Sequence, residues 1–249
     1  MTRRWAANPS PGRTVVVSSA MATWRRRALL GLLGLAAGAT LGCQTGHVSP
    51  GWKRTVRGYQ ERCKELLSEY APRATKAVES AGPPADLRFT ADVLQSGTYE
   101  PHQNGPRWCW VVGLVPVGWK DEWTGVSDPW PDMRVWTAPE PGEPTRMYFG
   151  SAWDQERLLA HVRAQGTILR ETDAVDQDRM GPVDRHTIVV QEPGGSRVLL
   201  VTRRYGEIEQ YSCGARLTGR RVEQVGVFEA ACNAMVMTTR EHPEWFGLH

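Results

Sequence analysis

The spacing of apolar residues changes near residue 86, and this change constrains the fold more than any other feature of the sequence. Upstream of it, apolar side chains recur in steps of three and four, which predicts a helix with one apolar face. These side chains are Trp52, Val56, Tyr59, Cys63, Leu66, Leu67 and Tyr70. Pro72 is expected to interrupt or kink the helix. A second helical piece, Arg73–Ser80, should follow and end at Gly82-Pro83-Pro84.

After residue 86, segments rich in aromatic and β-branched residues alternate with turn residues, as is typical of strands. The predicted strands are Leu87–Ala91, Trp108–Val115, Arg134–Thr137, Arg146–Phe149, Thr167–Glu171, His186–Glu192, Arg197–Arg204 and Ile208–Leu217. Two helices are predicted among them, Asp154–Gln165 and Val222–Met237. Short connections such as Pro193-Gly194-Gly195 favour antiparallel pairing. The sequence therefore predicts an α+β fold, an antiparallel sheet flanked by helices and preceded by an N-terminal amphipathic helix.

Residues 21–43 have the composition of a secretion signal. Three arginines, Arg25 to Arg27, precede the apolar run Ala28–Leu41, and Gly42 and Cys43 follow it. A charged segment, a short apolar segment and a small residue before the processing site make up such a signal. The apolar run is too short for a stable transmembrane helix, which needs about 20 residues.

The end of this segment, Leu41-Gly42-Cys43, resembles the lipobox of bacterial lipoproteins, with Thr40 where leucine is usual. The resemblance implies that a diacylglycerol is attached to Cys43 and that Cys43 becomes the first residue of the mature protein. The protein would then be anchored by lipid to a membrane of the bacterial cell envelope. Because such a signal normally starts at its own methionine, we expect Met21 to be the true start.

These boundaries divide the chain into five parts. They are an extension of the gene model (1–20), a lipoprotein signal peptide (21–42), a tether (43–50), an N-terminal helix (51–84) and an α+β domain (85–249). Of the 30 Lys and Arg residues, six precede Cys43, whereas none of the 27 acidic residues does. The part after Cys43 is therefore slightly acidic, which argues against a nucleic-acid partner.

Four cysteines follow Cys43, namely Cys63, Cys109, Cys213 and Cys232. An even number in an exported chain favours two disulfides, and buried free thiols are the alternative. Cys213 lies on the last predicted strand and Cys232 on the apolar face of the next helix. A helix that returns antiparallel over its own strand would bring the two within bonding distance. Cys63 and Cys109 would then pair by elimination. No cysteine pair has zinc-site spacing.

Tryptophan is unusually frequent, with 11 in the chain and seven between positions 108 and 153. Most of these large rings are expected to fill the core. Trp123 and Trp130 lie in a segment predicted to be a loop, Asp121–Pro131, which also contains Pro129. Since exposed Trp and Tyr dominate interfaces, Trp123 and Trp130 are the candidate binding residues, with an envelope protein or a glycan as the partner.

The sequence contains none of the catalytic or metal-binding motifs G-x-S-x-G, S-x-x-K and H-E-x-x-H. No catalytic residue, metal or cofactor is predicted. The aspartates between 173 and 184 lack the Gly and Glu of a calcium loop, which favours a solvated loop. They are Asp173, Asp176, Asp178 and Asp184.

The sequence thus predicts a noncatalytic, lipid-tethered binding or assembly module. The alternative is an exported enzyme with His186, Asp184 and His161 as its acid and base residues.

Four local patterns between Leu87 and Met237 resemble the PsbP-like α/β/α sandwich family. They are Leu114-Val115-Pro116-Val117-Gly118-Trp119, a strand that ends at Phe149 before a short helix, Tyr211-Ser212-Cys213, and Phe228-Glu229-Ala230-Ala231-Cys232. Members of that family are largely noncatalytic binding or assembly proteins. The resemblance therefore implies a sandwich of helices around a sheet and no active site.

Overall fold

The structure is a computed structural model, and it describes residues 50–98, 107–124, 133–151, 155–206 and 209–243. All of these residues belong to one unit, Pro50–His249. The helices are α1 (Pro50–Ser80), α2 (Gln155–Arg163), α3 (Val225–Asn233) and α4 (Thr238–Glu241), with a 3₁₀ helix at Gly219–Gln224. The strands are β1 (Phe89–Thr98), β2 (Arg107–Pro116), β3 (Lys120–Thr124), β4 (Met133–Thr137), β5 (Arg146–Ser151), β6 (Thr167–Asp178), β7 (Gly181–Gln191), β8 (Arg197–Tyr205), β9 (Glu209–Leu217) and β10 (Val236–Met237).

The strands form two antiparallel sheets. The larger has seven strands in the order β3-β4-β5-β9-β8-β7-β6, and the smaller has three in the order β1-β2-β10. Every pairing is antiparallel, for example Phe149 with Cys213 and Val201 with Cys213. The predicted α+β class, with antiparallel sheets flanked by helices, is confirmed.

Both faces of the seven-stranded sheet are covered. On β8, Leu199 and Val201 enter the larger core, which also contains residues of α1, α3 and the small sheet. The alternate residues Val198 and Leu200 enter a second core on the other face, with Leu158 of α2. Successive side chains of a strand point to opposite faces, so a strand covered on both sides must be apolar throughout.

Helix α1 is continuous across Pro72. Its buried side chains recur every four residues, at Leu66, Tyr70, Ala74 and Val78, and they form one stripe on the larger core. The helix continues past the proline because burial of Ala74 and Val78 offsets the local cost of about 3 kcal/mol for a proline inside a helix. The second helical piece predicted after Pro72 is therefore part of the first helix.

Three further sequence predictions differ from the structure in the type or length of an element. The predicted loop Asp121–Pro131 begins with strand β3, and the predicted loop containing the four aspartates is the long hairpin β6–β7. The predicted last helix, Val222–Met237, ends at Asn233. It ends there because Arg203 donates hydrogen bonds to the carbonyl oxygens of Asn233 (2.8 Å) and Met235 (2.7 Å). The chain then continues as β10, where Val236 pairs with Val112 of β2.

Two disulfides are present, and their pairing is the predicted one. Cys213 and Cys232 link β9 to α3 with a Cα–Cα distance of 5.4 Å. Cys63 and Cys109 link α1 to β2 with a Cα–Cα distance of 5.8 Å. The first disulfide fixes α3 over β9, the strand that precedes it in the chain, and the second fixes α1 on the small sheet.

The side chain of Tyr148 on β5 crosses the strand that follows it in the sheet. Its partner in the register is Gly214, and its hydroxyl donates a hydrogen bond to the carbonyl oxygen of Leu199 at 2.9 Å. Burial raises the pKa of Tyr148, so the hydroxyl keeps its proton for this bond. A β-carbon at position 214 would lie 2.3 Å from the Leu199 oxygen and 2.5 Å from the ring of Tyr148. Only glycine, which has no β-carbon, leaves space for the side chain of Tyr148 to cross β9.

Removal of either disulfide should lower the free energy of unfolding. The closed loops have sequence separations of 19 and 46 residues, so loop-closure entropy predicts losses of about 3 and about 4 kcal/mol respectively. Denaturant titration of Cys213→Ala/Cys232→Ala and Cys63→Ala/Cys109→Ala, compared with the native protein, measures these losses.

Nonreducing peptide mapping of the native protein should recover the 213–232 and 63–109 peptides. A 213–109 or 213–63 peptide would contradict this packing of strand and helix.

Gly214→Ala should destabilise the fold by about 1–3 kcal/mol, because the added methyl group displaces Tyr148 or strand β8. Gly226→Ala is the matched control, since nothing lies within 4 Å of a β-carbon built at that position of α3. There the substitution should be neutral or stabilise by up to about 1 kcal/mol through helix propensity. Thermal or denaturant unfolding of both variants distinguishes the sites, and equal effects would refute the role of Gly214.

Candidate functional site

Of the residues predicted to contact a membrane or a partner, only Trp123 lies within the described part of the chain. Cys43 and Trp130 lie outside the described residues. Trp123 is 59% exposed. In contrast, Trp136 is buried and Trp119 packs at 5.8 Å from the ring of Phe228. These two rings fill the core as predicted, whereas Trp123 faces solvent.

Trp123 lies on β3, at one edge of the seven-stranded sheet. In the register, Trp123 pairs with Arg134 of β4, and Asp121 pairs with Trp136. Residues opposite each other in an antiparallel pair project from the same face, as do residues two apart on a strand. Trp123, Asp121 and Arg134 therefore share one face of the sheet at its edge.

Arg134 organises the polar groups beside Trp123. Its guanidinium donates to both carboxylate oxygens of Asp121, at 2.6–3.1 Å, and to a carboxylate oxygen of Asp92 at 2.9 Å. It also donates to the carbonyl oxygen of Val93 at 2.5 Å and lies 5.0 Å from the ring centroid of Trp136. Burial alone would lower the pKa of Arg134, but the bonds and charges of Asp121 and Asp92 outweigh it and raise the pKa.

These four residues, Asp92, Asp121, Trp123 and Arg134, are called the Trp123 surface below. The Arg134 side chain is held at several points and is 19% exposed, while the side chains of Asp92 and Asp121 are 41% and 42% exposed. A fork-shaped guanidinium bound in this way is rigid. The surface therefore presents an exposed aromatic ring beside two oriented hydrogen-bond acceptors.

A second candidate site is an open cavity of about 650 Å³ on the α2 side of the sheet. It is lined by α2 and strands β6, β7 and β8, and its charged lining residues are Glu156, Arg163, Asp173, Asp184, Arg185, His186 and Arg204. His186 is 12% exposed. Its Nδ1 is 2.6 Å from Asp173 Oδ1, and its Nε2 is 2.9 Å from Glu171 Oε1.

This geometry limits what His186 can do. Both ring nitrogens lie within hydrogen-bond distance of a carboxylate oxygen, so each already has a partner within the protein. Among the described residues that line the cavity there is no Ser, Thr, Cys or Tyr to act as a nucleophile.

The predicted acid/base set is only partly assembled. His186 and Asp184 line the same cavity, but Asp184 binds Arg204, with 2.5 Å between Asp184 Oδ2 and Arg204 Nη2. His161 is exposed on α2 and is not among the residues that line the cavity. The sequence pointed to His186 but missed Glu171 and Arg163, because their roles depend on the register of the β6–β7 hairpin and on where α2 packs.

The four aspartates do not form a solvated loop. Asp173 contacts His186 on one face of the hairpin, while Asp176 binds Arg203 at 3.1 Å on the other face. Asp178 accepts from Arg240 at 2.9 Å near the hairpin turn. In the described part of the chain, no group of three or more His, Cys, Asp or Glu side chains is arranged to hold a metal ion.

Acidification should weaken the contact between α2 and β6. The hydrogen bond from Arg163 is the main reason that the pKa of Glu171 is lowered, and the charges of Arg163 and His186 add to it. A carboxylate with a lowered pKa contributes stability above its ordinary pKa, near 4, and this contribution is lost as the pH falls through the lowered value. For a partly exposed pair the contribution at pH 7 is about 0.2–1 kcal/mol.

Urea unfolding between pH 7 and pH 3 measures this loss. Arg163→Gln should be less stable than the native protein at pH 7, and its stability should fall less steeply below pH 5. Arg179→Gln is the control, because it removes the same charge from an exposed turn. If both variants show the same pH profile, the Arg163–Glu171 pair is not responsible.

Within the described residues, no helix is both long and apolar enough to cross a membrane. Comparison with known proteins gives no family: no family model matches the sequence, and no curated protein matches it. The resemblances to bacterial lipoproteins and to the PsbP-like family therefore stay predictions.

Proposed function

We propose that this protein is a noncatalytic binding or assembly module, tethered to a membrane of the bacterial cell envelope through a lipid on Cys43. The proposed binding site is the Trp123 surface, and its partner is an envelope protein or a glycan. The observation that carries the binding role is the indole of Trp123, which is 59% exposed on a sheet edge where it has no core to fill.

Support for export comes from the cysteines. Cys63, Cys109, Cys213 and Cys232 are all used in disulfides, and structural disulfides persist mainly in oxidising compartments. The signal-like segment that ends at Cys43 agrees with that environment. The two disulfides also suit a module that must stay folded at a membrane surface.

The alternative, an exported enzyme, is supported by His186 between two carboxylates in a polar cavity. It is the weaker proposal because both ring nitrogens are engaged and Asp184 is paired with Arg204. The Trp123 surface offers carboxylate acceptors held in place by Arg134 beside an exposed aromatic ring. Such a surface is suited to binding.

Lipid attachment predicts that a fatty-acid probe labels the native protein but not Cys43→Ala. Two acyl chains at about 0.8 kcal/mol per buried CH₂ should anchor the native protein stably in the membrane fraction, whereas Cys43→Ala should lose that anchor. Cys213→Ala/Cys232→Ala is the control and should be labelled like the native protein. Equal labelling of Cys43→Ala and the native protein would refute the lipid anchor.

The binding role is tested with isolated envelope fragments and the full-length protein. Native protein should bind the fragments saturably, and Trp123→Ala should bind about tenfold more weakly, as expected for a central aromatic contact. Lys120→Ala is the matched control, because Lys120 is exposed on the same strand but projects from the opposite face. Equal binding by Trp123→Ala and the native protein would refute the proposed site.

A further inference from the structure

The chemistry of the Trp123 surface narrows the class of its ligand. We infer that it binds an uncharged carbohydrate that carries hydroxyl groups on adjacent carbons. This inference rests on the proposed function and deepens it, because a glycan was one of the two partner classes proposed. Three properties of the surface carry it: the exposed ring, the oriented acceptors and the net charge.

The exposed ring accounts for the apolar side of the ligand. The face of an indole is electron-rich, so it attracts the weakly positive C–H groups that cover one side of a sugar ring. Trp123 is on an edge strand and is 59% exposed. A flat ligand can therefore lie on it without any rearrangement of the core.

The two carboxylates account for the polar side. Arg134 occupies only part of the acceptor capacity of Asp92 and Asp121, since an ionised carboxylate has about four lone-pair sites. Both carboxylates are about two-fifths exposed, so their remaining lone pairs are available to hydroxyl donors. Because Arg134 fixes their orientation, little conformational entropy is lost when such donors bind.

The spacing fits one sugar unit. Trp123 and Asp121 are two residues apart on one face of β3, a separation of about 7 Å. A ring stacked on Trp123 would place the hydroxyl groups at its rim toward Asp121. Neighbouring hydroxyl groups can then donate to separate carboxylate oxygens, which gives the directional contacts that apolar stacking lacks.

The charge balance favours a neutral ligand over a cationic peptide. Asp92 and Asp121 carry two negative charges and Arg134 carries one positive charge at contacts of 2.6–3.1 Å. Because Arg134 already offsets one of the two carboxylate charges, a lysine or arginine from a partner would be attracted only by the single negative charge that remains. An acidic sugar would meet a net negative surface. Uncharged hydroxyl groups have neither disadvantage.

The test uses the full-length protein in detergent micelles and three uncharged probes: maltotetraose, cellotetraose and tetra-N-acetylchitotetraose. At least one should bind in calorimetric titration, and in saturation-transfer NMR its ring C–H protons should receive magnetisation from the protein. Trp123→Ala should weaken that affinity about tenfold, Asp121→Asn should weaken it several-fold, and Trp123→Phe should retain part of it. Lys120→Ala should bind like the native protein.

The outcomes separate this inference from the proposed function. If none of the three sugars binds while binding to envelope fragments still depends on Trp123, the carbohydrate inference is overturned and the binding role stands. Binding of decalysine in a Trp123-dependent manner, without sugar binding, would also overturn it in favour of a basic peptide. If Trp123→Ala binds both envelope fragments and sugars like the native protein, the proposed site fails as well.

Discussion

Burial of both faces of the seven-stranded sheet is the constraint on which the other features of this fold depend. One face is covered by α1, α3 and the small sheet, and the other by α2. The central strands therefore carry apolar residues in both directions, as Val198 to Val201 show. Even the cross-strand glycine at position 214 follows from this constraint, since it makes room for Tyr148 in the second core.

Because the centre of the sheet is covered, surfaces that can bind a partner are found at its edges. One edge strand, β3, presents Trp123, and the other, β6, lines the cavity that holds His186. The two edges differ in their chemistry. At both edges the carboxylates pair with cationic side chains, but at β3 an exposed aromatic ring, Trp123, lies beside them. This difference is why we propose β3 as the edge that binds a partner.

Arginine guanidinium groups connect separate elements at two places in the fold. Arg134 fixes Asp92 and Asp121 beside Trp123, and Arg203 fixes the end of α3 through two backbone carbonyl groups. A planar guanidinium with several donors can satisfy acceptors from different elements at once. The same residue type thus orients a candidate ligand-binding surface in one place and ends a helix in another.

Much of the fold could be predicted from the sequence, because periodicity and turn residues are local properties. The change from helical to strand spacing predicted the α+β class, and the position of Cys232 on a helix after the strand of Cys213 predicted their disulfide. The boundaries that were wrong depend on distant partners. Pro72 stays inside α1 because the buried side chains after it pack into the core. The last helix ends early because Arg203, which is 30 residues upstream, donates a hydrogen bond to the carbonyl oxygen of Asn233.

The candidate sites divide in the same way. The sequence by itself pointed to Trp123 and Trp130 as binding candidates and to His186, Asp184 and His161 as acid and base candidates, because the chemistry of a side chain is intrinsic to it. Only the tertiary structure decided that Trp123 is exposed, that Arg134 holds two carboxylates beside it, and that Glu171 and Asp173 occupy both nitrogens of His186. Register and packing bring together residues far apart in the chain, such as Asp92 and Arg134. Such pairs cannot be predicted from local sequence patterns.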